Sequence, residues 1–217
     1  MEEHPTVPRP CLIRLPQYYR RLLQARQDRQ QIISSKELGD EAGVPAAQAR
    51  KDLGYLGESG RPGVGYNVRQ LIAQLEDFLG LKVRKRAVLI GMGHLGRALA
   101  SYPGFSRYRL QVVGIFDHNP MKIGSQIGDT TIHSLDNLAS FVQEHDIAIG
   151  ILAVSALQAQ NTAERMVEAG ISVIWNFAPV ALRLPEHVMV FNEDLSARLA
   201  TMSYYIMQHD HSSTQRE

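Results

Sequence analysis

The chain has 217 residues, which allows one large domain or two small ones. Its 44% apolar and 21% charged content is ordinary for a globular protein, and its one cysteine, Cys11, excludes a disulfide framework and a multi-thiolate metal site. A formal net charge of +1 excludes a uniform polycation, so any nucleic-acid binding would need locally concentrated positive charge.

The first residues are acidic and then rich in proline, so we expect no secretory signal, and no apolar run is long enough to cross a bilayer. Together with the scarcity of cysteine, this predicts a protein of the reducing cytoplasm with no membrane partner.

The N-terminal part has the pattern of a helix-turn-helix. Residues 16–30 predict a first helix with Pro16 in its first turn, and residues 9–29 hold six arginines against one aspartate. Ser34 and Glu37 form a capping-box pattern before a helix at 36–42, a Gly-Val-Pro turn follows, and a basic helix is predicted at 46–55. Such a third helix enters the DNA major groove, and its candidate contacts are Gln48, Arg50, Lys51 and Tyr55.

The segment Gly60 to Asn67 has three glycines at close spacing, which predicts a hairpin that acts as the wing of a winged helix. Arg61 and Tyr66 could then reach the minor groove or the DNA backbone. The alternative for these eighty residues is a small helical dimerisation domain with a solvated basic face.

A boundary is expected near residues 79–84, because the pattern changes there. Four short apolar runs follow, RAVLIG, LQVVGIFD, IAIGILAV and SVIWNFAP, separated by helix-length segments. This is typical of parallel strands buried on both faces, and it predicts a βαβ sheet from about 84 to 191.

The sequence Gly91-Met92-Gly93-His94-Leu95-Gly96 directly follows the first of these strands. The glycines permit a tight turn, close approach of a pyrophosphate and close packing of helix on strand. Asp117 ends the next strand, 21 residues after Gly96, where a carboxylate can bind the ribose hydroxyls of NAD. Lys122 could reach the adenosine end. The alternative is a glycine-rich turn without a ligand.

Two further loops follow strands of the same sheet and should meet at its carboxyl edge. One contains Ala153, Val154 and Ser155. In the other, Asn176 could bind a nicotinamide carboxamide, Phe177 could cover the ring or be a plain core residue, and Ala178 follows.

The last predicted helix covers 193–208, with an acidic first turn and an apolar stripe of Leu195, Leu199, Met202 and Ile206. Other faces are apolar as well, so the helix should be buried, either in a second subunit or on its own sheet. Tyr204 and Tyr205 are candidates to sense the charge of the partner's nicotinamide. The polar residues 209–217 are expected to be disordered.

The chain as a whole resembles the Rex family, the redox-sensing transcriptional repressors of bacteria, from about residue 12 to 207. The resemblance is carried by RLPQYYR, SSKELG, AQARKDLGYLG, RPGVGYNV, GMGHLGRALASYPGF, FDHNPMKIG, ILAVS, NFAPV and MSYYI. It implies a homodimer that binds operator DNA when NAD⁺ dominates and releases it when NADH binds.

The resemblance also implies an α/β architecture: a winged helix-turn-helix domain at 1–80, a Rossmann NAD(H)-binding domain with a parallel sheet at 81–191, and a domain-swapped dimerisation helix at 192–208. It places recognition-helix contacts on Arg50, Lys51 and Tyr55 and wing contacts on Gly63, Gly65 and Tyr66. It also implies a switch network between subunits, formed by Arg20, Tyr102 and Asp194.

Several residues depart from the family pattern, among them Leu56 and Ser59, which replace frequent aromatic residues, and Asn119, which replaces a frequent aspartate. Three further departures bear on the candidate sites. Gly54 stands where serine is usual before the recognition-helix tyrosine, Pro62 where a basic wing residue is common, and His94 where asparagine or arginine is frequent. Glycine at the end of a helix weakens it by about 1 kcal/mol.

Two other classes of protein compete. The first is a small NAD-dependent dehydrogenase, which would need a substrate domain and a positioned acid–base group. The cofactor-binding fold and the N-terminal module leave no room in the chain for a substrate domain. The second competing class is a structural module that binds CoA or another nucleotide. Asp117 argues against it, because a carboxylate at that position suits the ribose of NAD.

Overall fold

The computed structural model describes residues 7–58, 60–194 and 196–214. The chain divides into two compact units, Met1–Val83 and Arg84–Glu217, so the division falls slightly after the predicted 80/81 boundary. Within the described residues, no helix is long and apolar enough to span a membrane.

The first unit is built from four helices and a two-stranded ribbon. Helix α1 (Arg9–Gln27) packs against α2 (Ser35–Ala42) and α4 (Val68–Phe78), and α3 (Ala46–Gly54) packs on α2. Strand β1 (Ile32–Ile33) pairs antiparallel with β2 (Tyr66–Asn67). The core consists of one apolar face from each of these elements: Leu15, Tyr18, Leu22, Ile33, Leu38, Leu53, Leu71 and Leu75.

Helix α1 begins seven residues before the predicted start at 16. Pro8 is its N-cap and Pro10 occupies the first turn, so Pro16 lies inside the helix rather than at its beginning. An interior proline costs about 3 kcal/mol of helix stability. The buried stripe that begins at Cys11 and Leu15 spans the proline and offsets this cost through packing.

The turn between α2 and α3 has the predicted sequence chemistry. Ser34 and Glu37 form both hydrogen bonds of a capping box, and Gly43 ends α2 with a φ of 65°, in the left-handed region. The turn runs so close to α2 at Gly39 that an added Cβ would lie 2.4 Å from the Val44 carbonyl and 3.3 Å from the Ala46 nitrogen, where α3 begins. The turn therefore fixes α3 firmly on α2.

The second unit is a seven-stranded sheet in the order β5-β6-β4-β3-β7-β8-β9. The strands are β3 (Lys85–Ile90), β4 (Leu110–Asp117), β5 (Gln126–Ile127), β6 (Thr130–Ser134), β7 (Ile149–Leu152), β8 (Val173–Asn176) and β9 (Met189–Asn192). All pair in parallel except the short edge strand β5. The six parallel strands have the Rossmann order 3-2-1-4-5-6.

Helices cover both faces of this sheet. They are α5 (His94–Ala100), α6 (Gly104–Arg107), α7 (Leu138–His145) and α8 (Ala156–Glu168). Two apolar clusters result, one beneath α7 and α8 around Phe116 and Met166, and one on the other face around Leu89 and Ile151. Central strands buried on both sides explain the continuous apolar runs in the sequence.

Helix α9 (Ala197–Thr214) starts later and ends later than predicted. Asp194 lies before the helix and accepts hydrogen bonds from the backbone N–H groups of Ser196 and Ala197, so it caps the helix instead of lying in its first turn. The helix runs on to Thr214, into the segment 209–217 for which disorder was predicted, and no glycine or proline interrupts the chain there. Residues 215–217 lie outside the described part.

Candidate functional site

The glycine turn between β3 and α5 is locked into the sheet edge. Gly91 has a φ of 99°, its N–H donates to the Phe116 carbonyl at 2.8 Å, and an added Cβ would lie 2.6 Å from the Ala153 carbonyl. At Gly96, an added Cβ would lie 1.8 Å from the Gly91 carbonyl. The chain itself therefore requires glycine at both positions.

Gly93 differs, because nothing within the protein requires it. Its φ is −74°, which any residue adopts, and an added Cβ would have no atom within 4 Å. The residue is exposed at the mouth of the turn. The turn thus has room for close approach of a pyrophosphate, as the motif predicts. His94 and Leu95 begin α5, whereas Met92 is buried in the core.

Asp117 ends β4 beside this turn, but its carboxylate faces the protein. It accepts hydrogen bonds from the backbone N–H groups of Met92 at 2.7 Å and Asn119 at 2.8 Å, and from the Lys122 ammonium at 3.0 Å. Burial raises the pKa of this carboxyl, but these hydrogen bonds outweigh burial and hold the pKa below its usual value. Asp117 therefore holds the glycine turn against β4, with Lys122 as its ion-pair partner. Its contact with a ribose remains a prediction.

A crevice of about 370 Å³ opens at the carboxyl edge of β3, β4 and β7. This is the point where the strand order reverses, the usual ligand position in open α/β sheets. Gly91, Asp117 and Val154 line it, as predicted from sequence. Ala153 instead packs toward the opposite face, and Ser155 is the N-cap of α8.

Sequence reasoning missed one wall of this crevice. It is the first half of α8, which presents Leu157, Gln158, Asn161 and Thr162, and His118 faces it with its Nε2 3.1 Å from Gln158 Nε2. Leu157 is 97% exposed, which is unusual for a leucine beside a cavity. The sequence held one signal for this wall. Residues three and four positions apart share a helix face, and these residues follow the end of β7 at that spacing, which places them at the carboxyl edge of the sheet.

The predicted role of Asn176 needs correction. The side chain is fully buried: its Nδ2 donates to the Val180 carbonyl and to Asn192 Oδ1, and its Oδ1 accepts from the Ala178 N–H. These bonds fix the loop after β8 and use both donors of the Nδ2 group, so a contact with a carboxamide, which stays a prediction, could only be accepted by Oδ1. Phe177 is half-buried against Trp175, with ring centroids 5.0 Å apart, and Ala178 is buried.

In the first unit, α3 and the wing turn border a groove of about 700 Å³. Arg50 and Arg61 line it together with Gly63 and Gly65, and Arg50 donates to the Ser35 hydroxyl at 3.0 Å. Lys51 is exposed on α3, and Tyr55 is half-buried at the end of that helix. Arg61 pairs with Gly65 across a tight turn, which forms the predicted wing.

Two predicted DNA contacts are turned inward. Tyr66 is only 5% exposed, because it pairs with Ile33 in the ribbon and its ring lies against Gly60. Gln48 donates to Asp52 Oδ1 at 2.9 Å. Tyr66 thus anchors the wing and Gln48 bonds within α3, so neither side chain projects from the surface as predicted.

Asp52 connects α3 to α1. Its buried carboxylate accepts two hydrogen bonds from the Arg14 guanidinium, at 2.6 and 2.8 Å, and one from the Tyr18 hydroxyl at 2.7 Å. Burial raises the pKa of Asp52, but the bonds from Arg14, Tyr18 and Gln48 outweigh it and lower the pKa overall. The network sets the rotation of α3 about its own axis.

The residues implied in a switch network have local partners within the chain. Arg20 is paired with Glu41, Tyr102 is exposed and packs edge-on against Phe105, and Asp194 caps α9. Along α9, Leu199 and Tyr205 are both more than 60% exposed. The alternative that this helix docks on its own sheet is therefore wrong for the described residues 199–207.

Comparisons with known proteins match both units. The family described as "Putative DNA-binding protein N-terminus" matches residues 6–54, and "CoA binding domain" matches residues 83–180. A "Redox-sensing transcriptional repressor Rex" of Roseiflexus sp. (strain RS-1) is 43% identical over 206 residues, covering 95% of this chain and 92% of the relative. A repressor of the same name from Clostridium beijerinckii is 40% identical over 206 residues, covering 95% of this chain and 98% of the relative.

Solved structures agree with this. A structure described as "RSP, a Rex-family repressor" has a TM-score of 0.86 at 36% identity, covering 98% of this chain and all of that one. The same protein "in complex with beta-NAD+ and operator DNA" has a TM-score of 0.87 at 37% identity and covers 98% of each chain. Its structure "in complex with beta-NADH" has a TM-score of 0.86 at 36% identity, covering 97% and 99%. With both units matched over nearly their whole length, the chain belongs to the Rex family of redox-sensing transcriptional repressors.

Proposed function

We propose that this protein is a homodimeric, cytoplasmic repressor that binds operator DNA through α3 and the wing turn and releases it when NADH binds the second unit. The observation that carries the nucleotide part is Gly93, a glycine at the mouth of the turn for which the protein itself has no steric need. A related repressor at 37% identity was crystallised with NAD⁺ and operator DNA, which supports both halves of the proposal.

The site fits a dinucleotide. The backbone at Gly91 and Gly93 would hold the pyrophosphate, while Asp117 and Lys122 keep the turn in place and would lie beside the ribose. The crevice walls from Val154 and Leu157 suit a flat apolar base, with Gln158 and Asn161 able to bind its edges. The bound nucleotide would carry the redox state, and the protein would respond to it through contacts that differ between NAD⁺ and NADH.

The single thiol of the chain is poorly suited to read a redox signal. Cys11 is buried in the first unit, where burial and the nearby Asp52 raise the pKa of its thiol to about 11. A thiol that stays protonated at neutral pH is a poor nucleophile and a poor redox sensor. This leaves the nucleotide crevice as the place where reduction is read.

Regulation requires only that NADH bind the DNA-free form more tightly than the DNA-bound form. By linkage, NADH then weakens operator binding by the same factor by which operator weakens NADH binding. A coupling free energy of about 1–3 kcal/mol corresponds to a change of about 5–150-fold in either affinity. No chemical turnover is needed, so we propose that the protein is not an enzyme, in agreement with relatives that are named repressors.

The decisive experiment is operator binding in a gel shift, with NADH titrated against excess NAD⁺. We expect NADH to release the DNA at concentrations where NAD⁺ does not. Operator binding that persists at saturating NADH would refute the proposal. Turnover of a small alcohol or hydroxy acid would favour a dehydrogenase, and a thermal shift with CoA but not with NADH would favour the CoA-binding alternative suggested by the match at residues 83–180.

The Gly93→Ala substitution tests the site itself. Because its Cβ meets no protein atom, we expect a stability change within about 1 kcal/mol but at least about tenfold weaker NADH binding. NADH binding can be followed by energy transfer from Trp175, the single tryptophan, since reduced nicotinamide absorbs where tryptophan emits. Gly96→Ala is the contrasting variant: its Cβ collides with the Gly91 carbonyl, so melting should reveal lost stability. Unchanged NADH binding by Gly93→Ala would contradict the site.

A further inference from the structure

Four aromatic side chains form a continuous run on one face of the second unit. Tyr102 packs edge-on against Phe105 with ring centroids 5.2 Å apart, Phe105 lies 5.6 Å from Trp175, and Trp175 lies 5.0 Å from Phe177. Aromatic pairs at these separations attract each other in edge-on and offset arrangements, beyond the effect of the area they bury. The run therefore has a defined geometry.

One end of the aromatic run is attached to the helix that follows the glycine turn. The Tyr102 N–H donates to the Leu99 carbonyl in the last turn of α5 at 3.1 Å. The Tyr102 ring also covers Gly104 so closely that an added Cβ there would lie 2.3 Å from it. A displacement of α5 must therefore move Tyr102 and, with it, Phe105.

Trp175, the third ring of the aromatic run, contacts the segment that leads into α9. Trp175 Nε1 donates to Glu193 Oε1 at 3.2 Å, and the Glu193 N–H donates to the Asn176 carbonyl at 2.8 Å. The next residue, Asp194, caps α9. The indole thus holds Glu193, the residue directly before the one that caps α9.

We propose that Phe105 and Trp175 are positioning residues that couple the glycine turn, through α5, to the direction of α9. The inference rests on the proposed function and adds the intramolecular route by which nucleotide binding alters the dimer. Packed rings shift between discrete arrangements rather than deforming continuously. A nucleotide that displaces α5 therefore repacks the rings and moves the Glu193 anchor.

A double-mutant cycle on Phe105→Leu and Trp175→Leu tests the coupling. The measured quantity is the ratio of operator Kd with and without saturating NADH. Each variant should lower this ratio by about 2- to 30-fold. The double variant should lower it no further than the stronger single variant, because both act on one route. NADH affinity of the DNA-free protein, measured by calorimetry, and operator affinity without NADH should stay within about threefold of wild type.

Matched variants separate coupling from simple loss of packing. Phe141→Leu makes the same change on the opposite face of the sheet, where Phe141 packs 5.4 Å from Phe116, and should leave the ratio unchanged. Trp175→Phe keeps a ring but loses the donor to Glu193, so its ratio should lie between those of wild type and Trp175→Leu. Because it preserves most of the packing, it also tests the inference should Trp175→Leu fail to fold.

Additive effects in the double variant, or an equal loss of coupling in Phe141→Leu, would overturn the inference while leaving the proposed function intact. A wild-type protein that NADH does not release from operator would refute the proposed function, and this inference with it.

Discussion

Asp52 is the residue whose charge matters most to the first unit. It is 1% exposed, and its bonds to Arg14 and Tyr18 hold α3 on α1. Asp52→Asn would leave the Arg14 guanidinium without its counter-charge, which typically costs about 3–5 kcal/mol for a buried pair. Urea unfolding should show this loss. Glu41→Gln, which breaks the more exposed pair with Arg20, should cost about 0–1 kcal/mol and is the matched control.

The same pair predicts a pH dependence. The pKa of Asp52 is lowered in the folded chain, so its stabilisation is fully present above the ordinary value of 3.8 and is lost as the pH falls below that value. Wild type should therefore lose more stability than Asp52→Asn in this acid range. Parallel acid curves for the two proteins would contradict the assignment.

At the scale of single elements, the sequence predicts best where local chemistry decides. The Ser34–Glu37 capping box, the Gly43 turn and the glycine turn at Gly91 each depend on a few adjacent residues, and each is present. The start of α1 was mispredicted, because Pro16 is tolerated only through packing against elements distant in sequence. Local propensity cannot reveal such tertiary compensation.

The candidate sites show the same limit. Gly91 and Asp117 were placed correctly at the sheet edge, because the order of strand, turn and strand fixes them. Asn176 and Tyr66 looked available in sequence, yet both are buried and bonded within the chain. Whether a polar side chain points outward depends on its neighbours in space, and one sequence does not contain that information.

Helix α3 carries a prediction about local charge. Lys51 lies on the surface of this helix beside the groove residue Arg50, so it is placed to contact phosphate or a base edge. Lys51→Ala should weaken operator binding by at least about tenfold without altering NADH affinity. Arg26→Ala removes the same charge from an exposed position on α1 and serves as its control. If the two variants weaken binding equally, the effect is one of overall charge and the assignment of α3 as the recognition helix is wrong.

At the scale of the whole molecule, α9 has apolar side chains that a single chain does not cover. Leu199, Met202, Tyr205 and Ile206 are each more than half exposed, and this run of large apolar side chains requires a covering surface. A second copy of the chain provides one, which is consistent with the two half-sites that a groove-reading dimer needs about 34–36 Å apart. The exposed face of α9 is therefore expected to be the dimer contact.

Replacing Leu199 and Met202 together by aspartate should convert the dimer to a monomer, because the interface would have to bury two unpaired carboxylates from each chain, at a cost greater than its apolar contacts offset. Sedimentation velocity would measure the change, and operator binding should fall with it because the two α3 helices are no longer joined. Thr201→Asp adds charge to the same helix outside the stripe of Leu199 and Met202 and should weaken the dimer less than the double variant does. A double variant that remains dimeric would show that the chains associate through another surface, and α9 would then have to be covered by something else.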